Sequence, residues 1–183
     1  GGFGKWHLTP GHEMGPAGSF DHWPLGWGFD HWWGFLTGAA GQYDPIITQD
    51  NSVLGVPEGK DGELYYFPDD ITDKAVEWLH GVRAHDADKP WFVYYSTGAT
   101  HAPHHPTKEW VDKIHAMHLF DDGYEKLRER IFENQKKLGV IPKDLVLTPW
   151  PKEMITPWDE LTPAAHKLYI SQVEVLAASV AYN

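Results

Sequence analysis

The feature that most restricts how this chain can fold is the make-up of its first third, where residues 1–62 hold 14 of the 18 glycines and five of the ten tryptophans. Apolar residues there follow neither a 3.6-residue nor a sustained two-residue period, which predicts ordered loop interleaved with short strands. Disorder would also account for so much glycine, but chains that stay disordered are poor in rings. This stretch carries Phe20, Trp23, Trp27, Phe29, Trp32, Trp33 and Phe35. Such rings pack or bind. Residues 20–35 read first as core, with Trp23-Pro24-Leu25-Gly26 as a packed turn, and second as a platform that stacks a sugar or an aryl group.

From Asp69 the pattern changes. Ile71, Ala75, Trp78, Leu79 and Val82 recur at helical spacing behind Asp69 and Asp70 as capping candidates, predicting an amphipathic helix over about 69–85. Pro90 then precedes Trp91-Phe92-Val93-Tyr94-Tyr95, whose aromatic and branched residues predict a buried strand over 91–95. Helix followed by strand implies an α/β unit. Further helices are expected near 108–117, 121–138 and 163–182, with a proline-punctuated connector from Ile141 to Pro163. A chain of 183 residues suits one domain with a sizeable core, so it reads as one unit. It opens on Gly1-Gly2-Phe3-Gly4 and stops inside the apolar run Ala164–Tyr182, which suggests a central piece of a longer protein.

Charge and composition exclude several classes. Fifteen Lys and Arg against 26 Asp and Glu leave a formal net charge of −11, and no basic tract stands out. Nucleic acid and anionic membrane are therefore not expected as partners. No stretch approaches the ~20 consecutive apolar residues of a membrane-spanning helix. Zero cysteines exclude disulfides, thiolate zinc sites and a cysteine nucleophile within these residues.

Several places could carry chemistry. In Gly4-Lys5-Trp6-His7-Leu8, two-residue periodicity puts Lys5 and His7 on one face of an extended segment and Trp6 on the other, so an ammonium and an imidazole suited to an oxyanion stand side by side. The competing reading is a frayed strand with a solvated lysine and a surface histidine. The segment Ser96–His105 leaves the predicted strand 91–95 at its carboxyl end, where open α/β sheets bind ligands, and this singles out His101. His101, His104 and His105 could instead supply imidazoles to a metal, although Pro103 interrupts any regular helical turn and no carboxylate lies within the motif. Asp50-Asn51 and Asp121-Asp122-Gly123 both have oxygen ligands for Ca²⁺, yet read better as a turn and a helix N-cap. His115 and His118 read as surface residues, and no metal ligand is assigned within the chain.

With these residues in place, the sequence resembles the sulfatases of the alkaline phosphatase superfamily, most closely the large bacterial arylsulfatases. Gly4-Lys5-Trp6-His7-Leu8 is similar to the family's second signature, and Trp23–Asp30 with Gly34-Phe35-Leu36 to its glycine-rich downstream segment. Thr100-His101-Ala102-Pro103-His104 resembles the active-site histidine loop. Phe120–Tyr124 with Gln135–Gly139 resembles the helical insert that follows. The resemblance implies an α/β fold, a central mostly parallel sheet flanked by helices, with residues 1–183 a central fragment of the N-terminal catalytic domain and a helical insert at about 108–162. It implies hydrolysis of a small-molecule or glycan sulfate ester by a formylglycine, with a divalent cation, usually Ca²⁺, polarising the sulfate. It also implies roles. Lys5 binds sulfate, His7 stands beside the formylglycine, and His101 contacts sulfate near the leaving oxygen as both a substrate-binding and a catalytic residue. The nucleophile signature, the acidic pair near the family's N-terminus and the later Asp-Asn metal pair are absent here, so formylglycine and Ca²⁺ ligands are expected outside this fragment, which alone is expected to be inactive. A phosphonate monoester or phosphodiester hydrolase of the same superfamily remains open, as does a glycan-binding module using Trp23, Trp27, Trp32 and Trp33. Compartment stays open between bacterial periplasm and cytoplasm.

Overall fold

A computed structural model describes residues 1–59 and 62–183, so the last part of the predicted loop region, Lys60 and Asp61, lies outside the described residues. The chain divides into two compact units, Gly1–His105 with Asn183, and Pro106–Tyr182, where the sequence reads as a single one. Among the described residues no helix is long and apolar enough to cross a membrane.

The first unit is built on a five-stranded sheet in the order β4-β3-β2-β1-β5. Its strands are β1 (Gly2–Lys5), β2 (Trp32–Phe35), β3 (Ile47–Gln49), β4 (Ser52–Gly55) and β5 (Tyr94–Ser96). β1 runs parallel to β2 and to β5, while β2, β3 and β4 form an antiparallel meander. Asp50-Asn51 is the turn between β3 and β4, as its composition predicts. Asp50 has φ 51°, a left-handed conformation that Asp tolerates. Its carboxylate accepts the Trp32 backbone N–H at 2.9 Å and faces His31 Nδ1 at 3.0 Å, pinning the turn to the start of β2.

The two faces of this sheet are covered differently. Helix α1 (Phe67–His85) starts two residues earlier than its periodicity predicts, because Pro68 fits the first turn, where its missing N–H costs nothing. Asp69 and Asp70 consequently sit inside that turn rather than capping it. α1 buries Phe67, Ile71 and Ala75, the first two in a cluster with Phe35, Ile47 and Tyr65. On the other face, Trp6, Trp23, Trp32 and Leu36 form a second core, with Phe20, Leu25 and Phe29 packed around it. Each buried indole N–H finds an acceptor: Trp6 on His22 O at 3.0 Å, Trp23 on Glu13 O at 2.7 Å and Trp32 on Thr48 Oγ1 at 3.0 Å. That satisfaction lets tryptophan serve as core where a loop has no periodic aliphatic face. The packed turn is a 3-10 turn over Pro24–Trp27.

Strand 91–95 departs from the sequence reading. Only Tyr94–Ser96 is strand, and it lies at the sheet edge; Trp91 and Phe92 are 50% and 68% exposed. Aromatic and branched residues favour a strand but do not say how many neighbours it has, and β5 pairs with β1 alone.

The second unit holds α2 (Lys108–His115), α3 (Gly123–Lys137) and α4 (Pro163–Tyr182), close to the predicted spans. α2 packs on α4 through Ile114, Ala178 and the Trp110–Tyr182 ring pair. His115 is exposed but bonds the buried Glu174 carboxylate at 2.9 Å. Asp122 stands at the α3 N-cap without capping by its side chain; its carboxylate bonds Arg130 instead. Helix α3 is closed by Trp158, which packs against Gly123 and donates its backbone N–H to Glu125 at 2.9 Å.

Candidate functional site

The site lies in the first unit, at the carboxyl ends of β1 and β5. These strands are adjacent and parallel, with Gly4 opposite Ser96, so the segment after Lys5 and the segment after Ser96 leave the sheet side by side. The approach is close. A Cβ on Gly4, which has φ 120°, would fall 1.8 Å from Ser96 O, and one on Gly34 would fall 1.9 Å from Gly4 O. Only glycine fits a backbone contact this near at a left-handed φ.

Lys5 is the last residue of β1, opposite Phe35, and is half-buried. The extended pattern expected to place Lys5 and His7 on one face stops there, because His7 has φ 58°. Pairing with the chain after β2 fixes this turn: Trp6 N–H donates to Phe35 O at 3.0 Å and His7 N–H to Leu36 O at 3.1 Å. A non-glycine residue held at positive φ by its surroundings is a form of local strain that concentrates at functional sites. The His7 ring lies against Gly38, where a Cβ would come within 2.5 Å of Nε2.

His101 is exposed on the loop after β5. Its backbone N–H donates to Gly98 O at 3.2 Å, and its Nδ1 meets Ala102 O at 2.7 Å. A carbonyl can only accept, so Nδ1 carries a proton, and Nε2 of the neutral ring is the lone-pair nitrogen. His104 and His105 are each engaged with protein groups. His104 Nε2 donates to Thr100 O at 2.9 Å, folding back on its own loop. His105 stacks on Tyr43 with ring centroids 5.7 Å apart, its Nδ1 accepts the Gln42 N–H at 3.4 Å, and its carbonyl accepts the Tyr66 hydroxyl at 3.1 Å. Burial raises the Tyr43 phenol above its ordinary pKa, so this stack is uncharged on the tyrosine side at neutral pH. His105 is thus a packing residue.

Gln42 and Gly38 have no signal in the sequence, since each acts by contact with a residue distant in the chain. The Trp platform is only partly present. Trp23 and Trp32 are fully buried and cannot stack a ligand; Trp33 is tied to Asp70 by its indole N–H at 2.7 Å, and Trp27 is exposed. Among the described residues no group of three or more His, Asp or Glu could hold a metal ion.

The chain is similar to several known proteins. The family model described as Sulfatase matches residues 1–182. An arylsulfatase of Klebsiella aerogenes is 28% identical over 188 residues, covering 97% of this chain and 37% of that protein. An uncharacterized sulfatase of Schizosaccharomyces pombe is 26% identical, covering 97% of this chain and 32% of its own length. The chain therefore spans about a third of the length of these relatives. Among solved structures, Ps i-CgsB in complex with k-i-k-neocarrahexaose shares 21% identity over 61% of this chain and 26% of that one, with a TM-score of 0.46.

Proposed function

From the premise that this chain belongs to the sulfatase family, we propose that it carries the cationic and proton-donating side of a sulfate-ester hydrolase site, formed by Lys5, His7 and His101. The observation that supports this reading most is the parallel pairing of β1 with β5, which brings the ends bearing Lys5 and the His101 loop to one edge of the sheet. In this proposed site the three groups divide the chemistry. The Lys5 ammonium counters charge on the sulfuryl oxygens, an interaction that strengthens as negative charge develops. His101 Nε2, when the ring is the imidazolium, donates its proton to the departing oxygen; Nδ1 is committed to Ala102 O and orients the ring. His7, held by its turn and by Gly38, presents its imidazole to the attacking group.

A formylglycine would supply the nucleophile and Ca²⁺ would draw charge from the sulfate; the family's nucleophile signature, Cys or Ser with Pro and Arg at fixed offsets, does not occur in residues 1–183, and both groups are assigned to other parts of the full-length protein. The substrate is a small-molecule or glycan sulfate ester. An aryl leaving group is the finer form of the proposal, supported by the named activity of the Klebsiella relative. The experiment is hydrolysis by the purified full-length protein of nitrophenyl sulfate against nitrophenyl phenylphosphonate and bis-nitrophenyl phosphate. Preference for the sulfate is expected, and preference for either phosphorus ester would replace this reading with that of a phosphonate or phosphodiester hydrolase.

A further inference from the structure

Gln42 is a buried polar residue that the proposed chemistry does not use. It is 6% exposed, in the loop between β2 and β3, and its polar groups are committed in three directions. Its carbonyl accepts the Phe67 N–H at 2.8 Å, tying it to the start of α1. Its side-chain Nε2 donates to Ala40 O at 3.1 Å, and its backbone N–H reaches His105 Nδ1 at 3.4 Å. The amide also lies directly on Gly98: a Cβ there would fall 2.8 Å from Gln42 Nε2 and 3.2 Å from Oε1. Gly98 in turn accepts the His101 backbone N–H at 3.2 Å.

The loop Thr97–His105 is therefore gripped at both ends by one neighbouring segment. Gln42 bears on Gly98 at one end, and Tyr43 stacks on His105 at the other. Between the two grips His101 is exposed, and its ring bonds within its own loop, to Ala102 O. We propose that Gln42 is a positioning residue for His101, its amide fixing where Gly98 stands and so where the His101 main chain and imidazole stand. The inference rests on the reading of His101 as the proton donor to the leaving oxygen. Gln42 touches α1 on its other side, so the position is set from a rigid helix rather than from a second loop.

Two measurements on the full-length protein test it. The first is amide hydrogen exchange in wild type and Gln42→Ala. Exchange at His101 should rise about tenfold or more, with β1 and α1 unchanged, because the His101 N–H loses a fixed Gly98 acceptor. Unchanged exchange at His101 would overturn the proposal whether or not the protein hydrolyses sulfate esters. The second is kcat for nitrophenyl sulfate and for an alkyl sulfate. Gln42→Ala should lower alkyl sulfate turnover roughly tenfold more than nitrophenyl sulfate turnover, since a displaced acid is missed most where the leaving oxygen needs a proton. Equal losses on both esters would show that Gln42 merely supports the fold. Gly98→Ala, which forces a Cβ against the amide, should impair the wild type more than it impairs Gln42→Ala; additive effects would show that the contact carries nothing. A wild-type protein that releases no sulfate would defeat the catalytic reading, while the exchange measurement still decides Gln42.

Discussion

Gly38→Ala isolates the position of one imidazole from the stability of the fold. A Cβ on Gly38 would stand 2.5 Å from His7 Nε2, where ordinary contact begins at 3.4 Å, so the ring must retreat by roughly 1 Å. The three nearest atoms are all of the His7 side chain, which is exposed and able to yield. Replacing glycine by alanine also narrows the unfolded ensemble, worth about 0.4–1 kcal/mol toward stability. The two effects leave the thermal midpoint nearly unchanged. Catalysis responds otherwise: a misplacement of about 1 Å commonly costs ~10²-fold, or about 2.7 kcal/mol of transition-state stabilisation. The assay is kcat/KM for nitrophenyl sulfate with the full-length protein, beside a thermal melt. A variant that melts like wild type and turns over like wild type would refute the placement of His7 at the reacting centre. A variant that loses both together would refute the claim that the Gly38 contact is local.

Gly4→Ala should destabilise the protein by about 2–4 kcal/mol in denaturant titration, since its Cβ would strike the Ser96 carbonyl at a left-handed φ with backbone on both sides. Phe67→Ala removes a fully buried ring between α1 and the sheet and should cost about 3–5 kcal/mol by the same titration. The Arg130 guanidinium, through its hydrogen bond, holds the Asp122 carboxyl below the usual carboxylate range, so the contribution of this pair is present above that range and is lost as pH falls through the lowered value. In a carbon-13 carboxyl titration the Asp122 midpoint should therefore move up in Arg130→Ala; an unmoved midpoint would show the pair is not formed in solution.

The parts of the fold readable from sequence were those with a local physical signature. Helix α1 announces itself through apolar spacing, and the Asp50-Asn51 turn through residues that tolerate a left-handed φ. The core of residues 1–62 was readable only as composition: which tryptophans are buried depends on carbonyls such as Glu13 O and His22 O that no periodicity points to. Strand β5 was legible as a strand but not as an edge, because the number of neighbours is a property of the whole sheet. At the candidate site, Lys5, His7 and His101 were singled out by residue type, position and motif. The turn at His7 was not, since its φ is fixed by pairing with Leu36, and neither was the packing of His105, which depends on Tyr43 from another loop.

The central claim assigns different tasks to two residues at neighbouring strand ends, and a leaving-group series tests it most directly. In the full-length protein, kcat/KM is measured for aryl and alkyl sulfates spanning a wide range of leaving-group pKa, for wild type, Lys5→Ala and His101→Ala. Loss of charge stabilisation at the sulfuryl group should slow every ester of Lys5→Ala by a similar factor. His101→Ala should lose about 10²–10⁴-fold on the poorest leaving groups and far less on nitrophenyl sulfate, steepening the dependence on leaving-group pKa. A His101→Ala slope equal to that of wild type would contradict the assignment of His101 as the acid.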